Sequence, residues 1–575
     1  MHEFGRRSTP GLALGFLVCL IYSLIFAGQV LGFFGIYLNW IAIPLAVIVF
    51  GVSAYFTFKS LPVSDDGPGG ASAFSKVDVL FGLCALALVA LLVALPLILW
   101  PASPAGKSLT WDAGLFQFPK AVELFRSGSM WDMNVCYAEY PLGYEALLSF
   151  GLLLTRNTAL FGPVHFILAL FLVASLWLLA KRYTRLPSGL LLFGIMAVLL
   201  SGFLNKDNNP WWVYYPLLFT VGKNDLFQGA AVLAVLAYAP IVAARDEEPG
   251  WNPVGFAMAS MIAFSIKPNS LIVLPLWLLA FYQLWKASPS RKDFLKQALL
   301  MVVIALPGLL WIFRNLAALH ALFTPAVLKL GGLSIAGNLT NPNLYKYIPV
   351  YLYFFLALTA LVVLFAILRK RISPAAAVTL LVLLLGFVIT PASAFHGNTQ
   401  GRAEIAWRFA FAFISYALLL LLVIVSPLLK KLIEWAARYR VMLVVLAIGV
   451  LACSGFLLWR MRQLVRYVPE NAIILREQFE QPVGMGGYYS AYDYARKNIR
   501  NATIIVDNGL PFYAYDAGFT NRTACSGHAD YFIVFNTDWD SGDPGVYPDY
   551  VNTTSWAGDW DVVYEDGYSR VYHRR

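Results

Sequence analysis

Apolar stretches of about 20 residues, the length that crosses a bilayer as a helix, recur along this chain from Leu12 to near residue 459. Inside lipid every backbone amide needs an internal partner, so each stretch must be helical. The short alternating strands of an outer-membrane barrel are absent. Composition agrees. Of the 575 residues, 59% are hydrophobic and only 13% charged, against roughly a quarter charged in an ordinary soluble domain. The first apolar run, Leu12 to Phe34, is too long for a signal-peptide core and has no clear small-residue cleavage site, so it reads as a first helix.

Spans are placed near 11–33, 36–58, 77–100, 159–180, 187–204, 226–244, 252–266, 269–287, 295–313, 346–368, 374–392, 409–429 and 440–459. The fold class expected is therefore a polytopic α-helical membrane protein with about thirteen transmembrane helices. Lys267-Pro268 divides 252–287 into two short spans that meet at a polar apex. Lysine and arginine in short loops stay in the cytoplasm. With Arg6 and Arg7 inside, the cytoplasmic connections hold Lys181, Arg182 and Arg185; Arg291, Lys292 and Lys296; Arg369, Lys370 and Arg371; and Lys430, Lys431, Arg438 and Arg440. Only the loop at 245–250, with one arginine and three acids, departs from the pattern. An odd number of spans then places 460–575 outside. The net charge of +10 follows from this pattern and from anionic lipid, and needs no nucleic-acid partner.

Three regions are expected: two N-terminal helices with a cytoplasmic loop over 1–76, a transmembrane core over 77–459 with a large first outer loop at 101–158, and an extracytoplasmic domain over 460–575. Within the outer loop, 113–127 and 141–155 have helical spacing with apolar faces (Leu115, Phe116, Phe118, Val122, Leu124, Phe125) and are expected along the membrane surface. The tail reads as a helix from Ser490 to Lys497, strands at Thr503–Val506 and Tyr531–Phe535, and a hairpin from Trp560 to His573 around Asp566-Gly567. That is a small α/β domain of roughly 100 residues, long enough for its own core. It has no phosphate loop, paired-cysteine metal motif or serine-hydrolase elbow, so support or acceptor contact is expected of it. Cys19, Cys84 and Cys453 fall inside spans and read as small apolar residues. Cys136 and Cys525 are the two cysteines on the outer side, where a disulfide between them would persist. Sequons at Asn338, Asn501, Asn521 and Asn552 lie on that side too.

A series of motifs follows on the outer side. Trp111-Asp112 opens the first loop, which closes with Tyr140-Pro141-Leu142-Gly143-Tyr144-Glu145. Gly222-Lys223-Asn224-Asp225 leads into a helix, and Ser265-Ile266-Lys267-Pro268-Asn269 joins two short spans. Pro307 to Asn315 reads PGLLWIFRN, and Arg408-Phe409 starts a later span. In this order, over roughly 77–430, the chain resembles the GT-C superfamily of integral membrane glycosyltransferases, which includes protein O-mannosyltransferases and lipid A aminoarabinose transferases. The resemblance implies a GT-C type fold and a sugar donor carried on polyprenyl (or dolichyl) phosphate. It also implies an inverting transfer to a glycan, lipid or protein acceptor at the outer face, with an acid of the first loop as general base. Many relatives have two adjacent acids there, whereas Ala113 follows Asp112; two extra spans also precede the family core. The membrane implied is the plasma membrane of a bacterium or archaeon, or that of the endoplasmic reticulum in a eukaryote.

The residues support this chemistry on their own terms. Displacing a lipid phosphate from an anomeric carbon needs a carboxylate near the acceptor and cations near the leaving group. Asp112 offers the first; Lys267 and Arg314 offer the second, with Lys223, Arg402 and Arg408 behind them. A lysine at an intramembrane helix break is costly unless paired or used. Plainer readings stand beside these. Asp112 could cap the helix after it, with Glu139 or Glu145 as base instead. Lys267 could snorkel to headgroups, Arg314 and Arg408 could meet headgroups from helix ends, and Lys206-Asp207 and Lys223-Asp225 could be local ion pairs. A divalent metal on His396 and Glu404 is not favoured, since two ligands without spacing make no site. A lipid-linked oligosaccharide ligase or polymerase shares the architecture. A transporter would also break helices at charged residues, but needs neither the long first loop nor the tail. A non-catalytic sugar-lipid binder is a third alternative.

Overall fold

The computed structural model describes residues 9–60, 74–99, 112–184, 186–201, 221–239 and 252–322, scattered positions between 357 and 459, and then 490–507, 509–525, 528–535, 560–566 and 569–575. The first three helices are α1 (Thr9–Phe33), α2 (Asn39–Ser60) and α3 (Phe74–Leu99). A π-helical turn, Ala113–Gln117, runs into α4 (Phe118–Ser127); α5 (Gly143–Thr155), α6 (Phe161–Tyr183) and α7 (Ser188–Ser201) follow. Beyond them come helices at Asp225–Tyr238, Pro253–Ile266, Leu274–Ala287, Arg291–Ala305 and Leu310–Leu319. Among the described residues five stretches, Thr9–Phe33, Asn39–Lys59, Thr158–Arg182, Pro268–Ala287 and Arg291–Leu319, are long and apolar enough to cross a membrane. The chain is a polytopic integral membrane protein. The spans expected at 346–368, 374–392 and 409–429 lie almost wholly outside the described residues.

Packing follows from which faces are apolar all round. Asp225–Tyr238 is buried along its whole length and lies against α6 and Pro253–Ile266. The first helix is central too: Leu14, Val18, Ile21 and Ile25 are buried, and α1 touches α2, α5, α6 and Pro253–Ile266. By contrast α2 turns Val47, Ile48, Val52, Tyr55 and Phe56 outward, as suits a face toward lipid. The break at Lys267-Pro268 has a local cause. Proline lacks an N–H and pushes the residue before it out of the helical region; Lys267 is accordingly extended (φ −147°, ψ 146°), and a 3₁₀ turn, Pro268–Val273, precedes Leu274–Ala287.

One expectation is corrected here. The segments 113–127 and 141–155 are helical, but protein rather than headgroups covers most of their length. Phe118 through Leu124 are all buried, as are Gly143 through Leu153. Their polar side chains meet protein rather than headgroups: Lys120 faces Glu145, and Glu123 faces Tyr515 and Thr523. Gly143 is needed for this seat, because any Cβ there would overlap both the side chain and the carbonyl of Ser265.

The C-terminal part forms a five-stranded sheet in the order β2-β1-β3-β5-β4. Its strands are β1 (Thr503–Asp507), β2 (Arg522–Ala524), β3 (Tyr531–Phe535), β4 (Trp560–Glu565) and β5 (Ser569–Arg574). β1 runs parallel to both β2 and β3, with Ile505 beside Ala524 and Phe532. β5 is antiparallel to β3 and β4, with Ile533 beside Val571 and Val562 beside Tyr572. Helix Ser490–Asn498 packs Tyr492 against Tyr513 and Phe535. Asn521 is fully buried and donates to the Ile499 carbonyl at 3.0 Å, so that sequon is closed to a glycan in the folded chain.

Asp516 organises the turn before β2. Its carboxylate accepts backbone N–H groups from Gly518, Thr520 (2.7 Å) and Asn521 (3.0 Å) and the Thr520 hydroxyl. Burial pushes its carboxyl up, but these donors prevail and hold it below the ordinary aspartate range. A folded value below the unfolded one stabilises at neutral pH and stops doing so as pH falls through the aspartate range. Asp516→Asn is expected to cost about 1.5–3 kcal/mol at pH 7, with the gap to wild type narrowing below about pH 4. Thermal unfolding of both proteins across that range checks it; a gap independent of pH would show that the charge is not involved.

Candidate functional site

Asp112 sits at the start of the π-helical turn with helical backbone angles and makes no capping hydrogen bond through its side chain. Its carboxylate is instead paired with Lys223 Nζ. Gly222 makes that meeting possible. Its φ is +91°, and a Cβ there would overlap the Cβ of Ala113, so the position needs glycine both for conformation and for close approach. The Gly222 N–H donates to Tyr144 Oη at 2.8 Å, which fixes the loop against α5.

Three residues after Gly222, Asp225 opens its helix and pairs with Lys267 Nζ at the helix break. Gln228 Nε2 reaches Asn269 Oδ1 at 2.5 Å beside it. The two acids and two bases alternate: Asp112 with Lys223, Asp225 with Lys267. Lys223 and Asp225, read from sequence as a local pair, each take part in a longer-range pair. Exposure differs along the series. Asp112 and Lys267 have 27% and 16% of their side chains accessible, whereas Lys223 and Asp225 have 8% and 3%. The outermost members of the series are the ones a substrate can reach.

A second cluster is sealed. Lys120 Nζ lies 2.7 Å from Glu145 Oε1, with 2% and 1% of the two side chains exposed, and 3.5 Å from the Pro141 carbonyl. Burial pushes the Lys120 ammonium down and the Glu145 carboxylate opposes it. Glu145 is thereby occupied and out of an acceptor's reach. Glu139 is also buried, and its backbone carbonyl accepts Asn315 Nδ2 at 2.8 Å. Arg314, expected to face the same ligand as Lys267, spends its guanidinium on the first loop: on the carbonyls of Met130 (3.2 Å), Ala138 and Tyr140, and on Asn315 Oδ1. A small cleft beside it is bordered by Lys120, Glu123, Asp132 and Leu142, and Lys267 is not part of its wall. Arg402, Arg408, His396 and Glu404 lie outside the described residues.

Reading the sequence missed Lys120 and Glu123. The signal for Lys120 was there: it falls four residues after Phe116 and four before Leu124, on the apolar stripe of its helix. A charge on such a stripe needs a buried partner. Glu123 has a local partner in Arg126, but its other partners, Tyr515 and Thr523, belong to the distant C-terminal part and left no signal nearby. Its carboxylate accepts the Tyr515 hydroxyl (2.8 Å), the Thr523 N–H (3.1 Å) and Arg126 (2.7 Å). Burial pushes its carboxyl up despite Arg126.

The rest of the seat between loop and sheet is equally specific. Arg522 grips Asp132 with two bonds, 2.6 and 3.0 Å. Cys525 N–H donates to the Asn134 carbonyl at 2.7 Å. Phe118 meets Phe512, and Phe125 meets Phe519. Cys136 and Cys525 are joined as a disulfide with Cα atoms 5.1 Å apart and a sequence separation of 389. Removing a cross-link over so long a loop is expected to cost about 2–4 kcal/mol. Protein purified without reductant should yield the Cys136–Cys525 peptide pair by mass spectrometry, and Cys525→Ser should lower the thermal midpoint; two free thiols in the native protein would refute the link.

Fold and side chains together define a polytopic membrane protein with a paired acid–base cluster at a helix break, beside a loop clamped by the C-terminal sheet. No family model and no curated protein matches the chain. Among solved structures, it is similar to ArnT from Cupriavidus metallidurans bound to undecaprenyl phosphate, at 14% identity over 88% of this chain and 98% of that one, with a TM-score of 0.44. A score below 0.5 defines no residue-by-residue equivalence, and none is taken from it.

Proposed function

We propose that this chain is an inverting glycosyltransferase that moves a sugar from a polyprenyl (or dolichyl) phosphate to an acceptor at the outer face of the membrane. The observation that carries this reading is the alternating series Asp112, Lys223, Asp225, Lys267. It assembles three motifs of the GT-C resemblance that are far apart in sequence, and it leaves an acid and a base accessible at its two ends. Asp112 takes the proton of the acceptor hydroxyl, whose oxygen attacks the anomeric carbon. The bond from that carbon to the phosphate oxygen breaks, and its electron pair leaves with the lipid phosphate. Lys267 meets the developing charge, assisted by Arg402 and Arg408. Lys223 and Asp225, buried between the ends, hold the two working charges apart. Arg314 and Asn315 serve the reaction indirectly, by fixing the carbonyls of the loop that Asp112 precedes.

Orientation has its own support. The sheet and residues 118–136 are in direct contact, which supports one side of the membrane for both, and the basic clusters in the opposite connections favour the outer side. The test is an assay of purified protein with polyprenyl phosphates carrying different radiolabelled sugars, in the presence of membrane-extract acceptors. Release of polyprenyl phosphate together with acceptor labelling is expected for at least one donor. Movement of intact sugar lipid across vesicles without bond cleavage would overturn the reading in favour of transport.

A further inference from the structure

Tyr137 has a positive φ of 54°, a conformation that a bulky residue adopts only where its surroundings impose it. Here they do so from both sides. Cys136, immediately before it, is bound to Cys525. Ala138 N–H donates to the Val135 carbonyl and Tyr140 N–H to the Tyr137 carbonyl, each at 3.1 Å. Arg314 holds the carbonyls of Ala138 and Tyr140, and Asn315 that of Glu139. These bonds are all backbone or belong to neighbouring residues; they fix where the Tyr137 ring stands without using it. The ring stands between Phe116 and Tyr140, with centroids 4.9 and 5.8 Å away and planes tilted by 53° and 57°. All three rings are half-buried. Phe116 lies one helical turn from Asp112. The Tyr137 hydroxyl is pushed up by burial and by the carboxylates of Asp112 and Glu139. That of Tyr140 is raised to about 12 by burial, by Tyr137 and by the same two acids.

Glycine at 137 would relieve the backbone at no cost to these bonds, so the strain is retained for the ring. We infer that Tyr137, flanked by Phe116 and Tyr140, is the face on which the pyranose ring of the donor sugar stacks beside Asp112. This rests on the proposed function and names the part of the donor that the loop reads. A pyranose presents a face of C–H bonds that suits the negative face of an aromatic ring, and sites for such ligands combine aromatic walls with a few placed charges. The aromatic loop adjoins Asp112, whereas Lys267 belongs to the other ion pair, with Asp225, which suits a ligand with a sugar at one end and a phosphate at the other.

The test compares equilibrium binding of bare undecaprenyl phosphate with undecaprenyl phosphates carrying glucose, mannose, galactose or arabinose. Wild type is expected to prefer at least one sugar lipid over the bare lipid. Tyr137→Ala is expected to erase that preference, about tenfold, with bare-lipid binding unchanged, and Tyr137→Phe to keep it. Tyr137→Gly, which fits the backbone, is the control for misfolding and should behave as Tyr137→Ala does. A preference that survives in both Tyr137→Ala and Tyr137→Gly overturns the inference and leaves the proposed function standing. So does a wild type that binds bare and sugar-bearing lipid alike, or a Tyr137→Ala variant that weakens both equally. Wild type that binds none of these lipids overturns the proposed function, and the inference with it.

Discussion

Asp112→Asn is expected to lower sugar transfer by about 10²–10⁴-fold, the usual share of general base catalysis, while weakening donor binding by no more than a few-fold. Asparagine keeps the shape of the side chain but cannot accept the acceptor's proton. It also removes the charge that Lys223 faces, which leaves the site more positive toward a phosphate. Turnover and donor affinity measured on the same purified variant separate the two effects. An Asp112→Asn enzyme with near-normal turnover would move the base to Glu139, since Glu145 is sealed against Lys120. Collapse of donor binding with turnover would instead mean that Asp112 holds the site together.

Lys120→Met is expected to destabilise the protein by about 3–5 kcal/mol, because it strands the Glu145 carboxylate in a site closed to water. Lys120→Met combined with Glu145→Leu removes both charges and should recover most of that loss, since apolar pairs often replace buried ion pairs at little cost. Thermal unfolding in detergent reads both variants. A single variant within about 0.5 kcal/mol of wild type, the range of ordinary surface changes, would show that the pair is not sealed in solution.

Local chemistry was legible in the sequence where it acts alone. Proline after Lys267 dictates the break between the helices Pro253–Ile266 and Leu274–Ala287, and the apolar runs around Asp566-Gly567 dictate the hairpin of β4 and β5. The three residues of β2 are too few to show a period, and only their parallel pairing with β1 makes them a strand. Asp112 and Lys267 could be singled out because a charge beside an apolar span invites a reason. Lys223 and Asp225 stood out as well, but who pairs with whom did not, because salt bridges spanning 111 and 42 positions leave no mark in either neighbourhood. Arg314 shows the reverse case. A helix end, where the sequence places it, fits an anion or a carbonyl equally well; in the structure it lies within Leu310–Leu319 and meets the carbonyls of the first loop.

The long reach between Cys136 and Cys525 imposes an order on biogenesis. A ribosome adding about 5–20 residues per second needs on the order of 20–80 s to go from the first cysteine to the second. Throughout that interval Cys136 is a lone thiol, Asp132 has no Arg522, and Glu123 is an acid without Tyr515. The loop around Tyr137 therefore takes its shape last, after the helices that carry Lys223 and Lys267 are already made. A nascent or truncated chain holds its full line of charges and still lacks the clamp that shapes its aromatic wall.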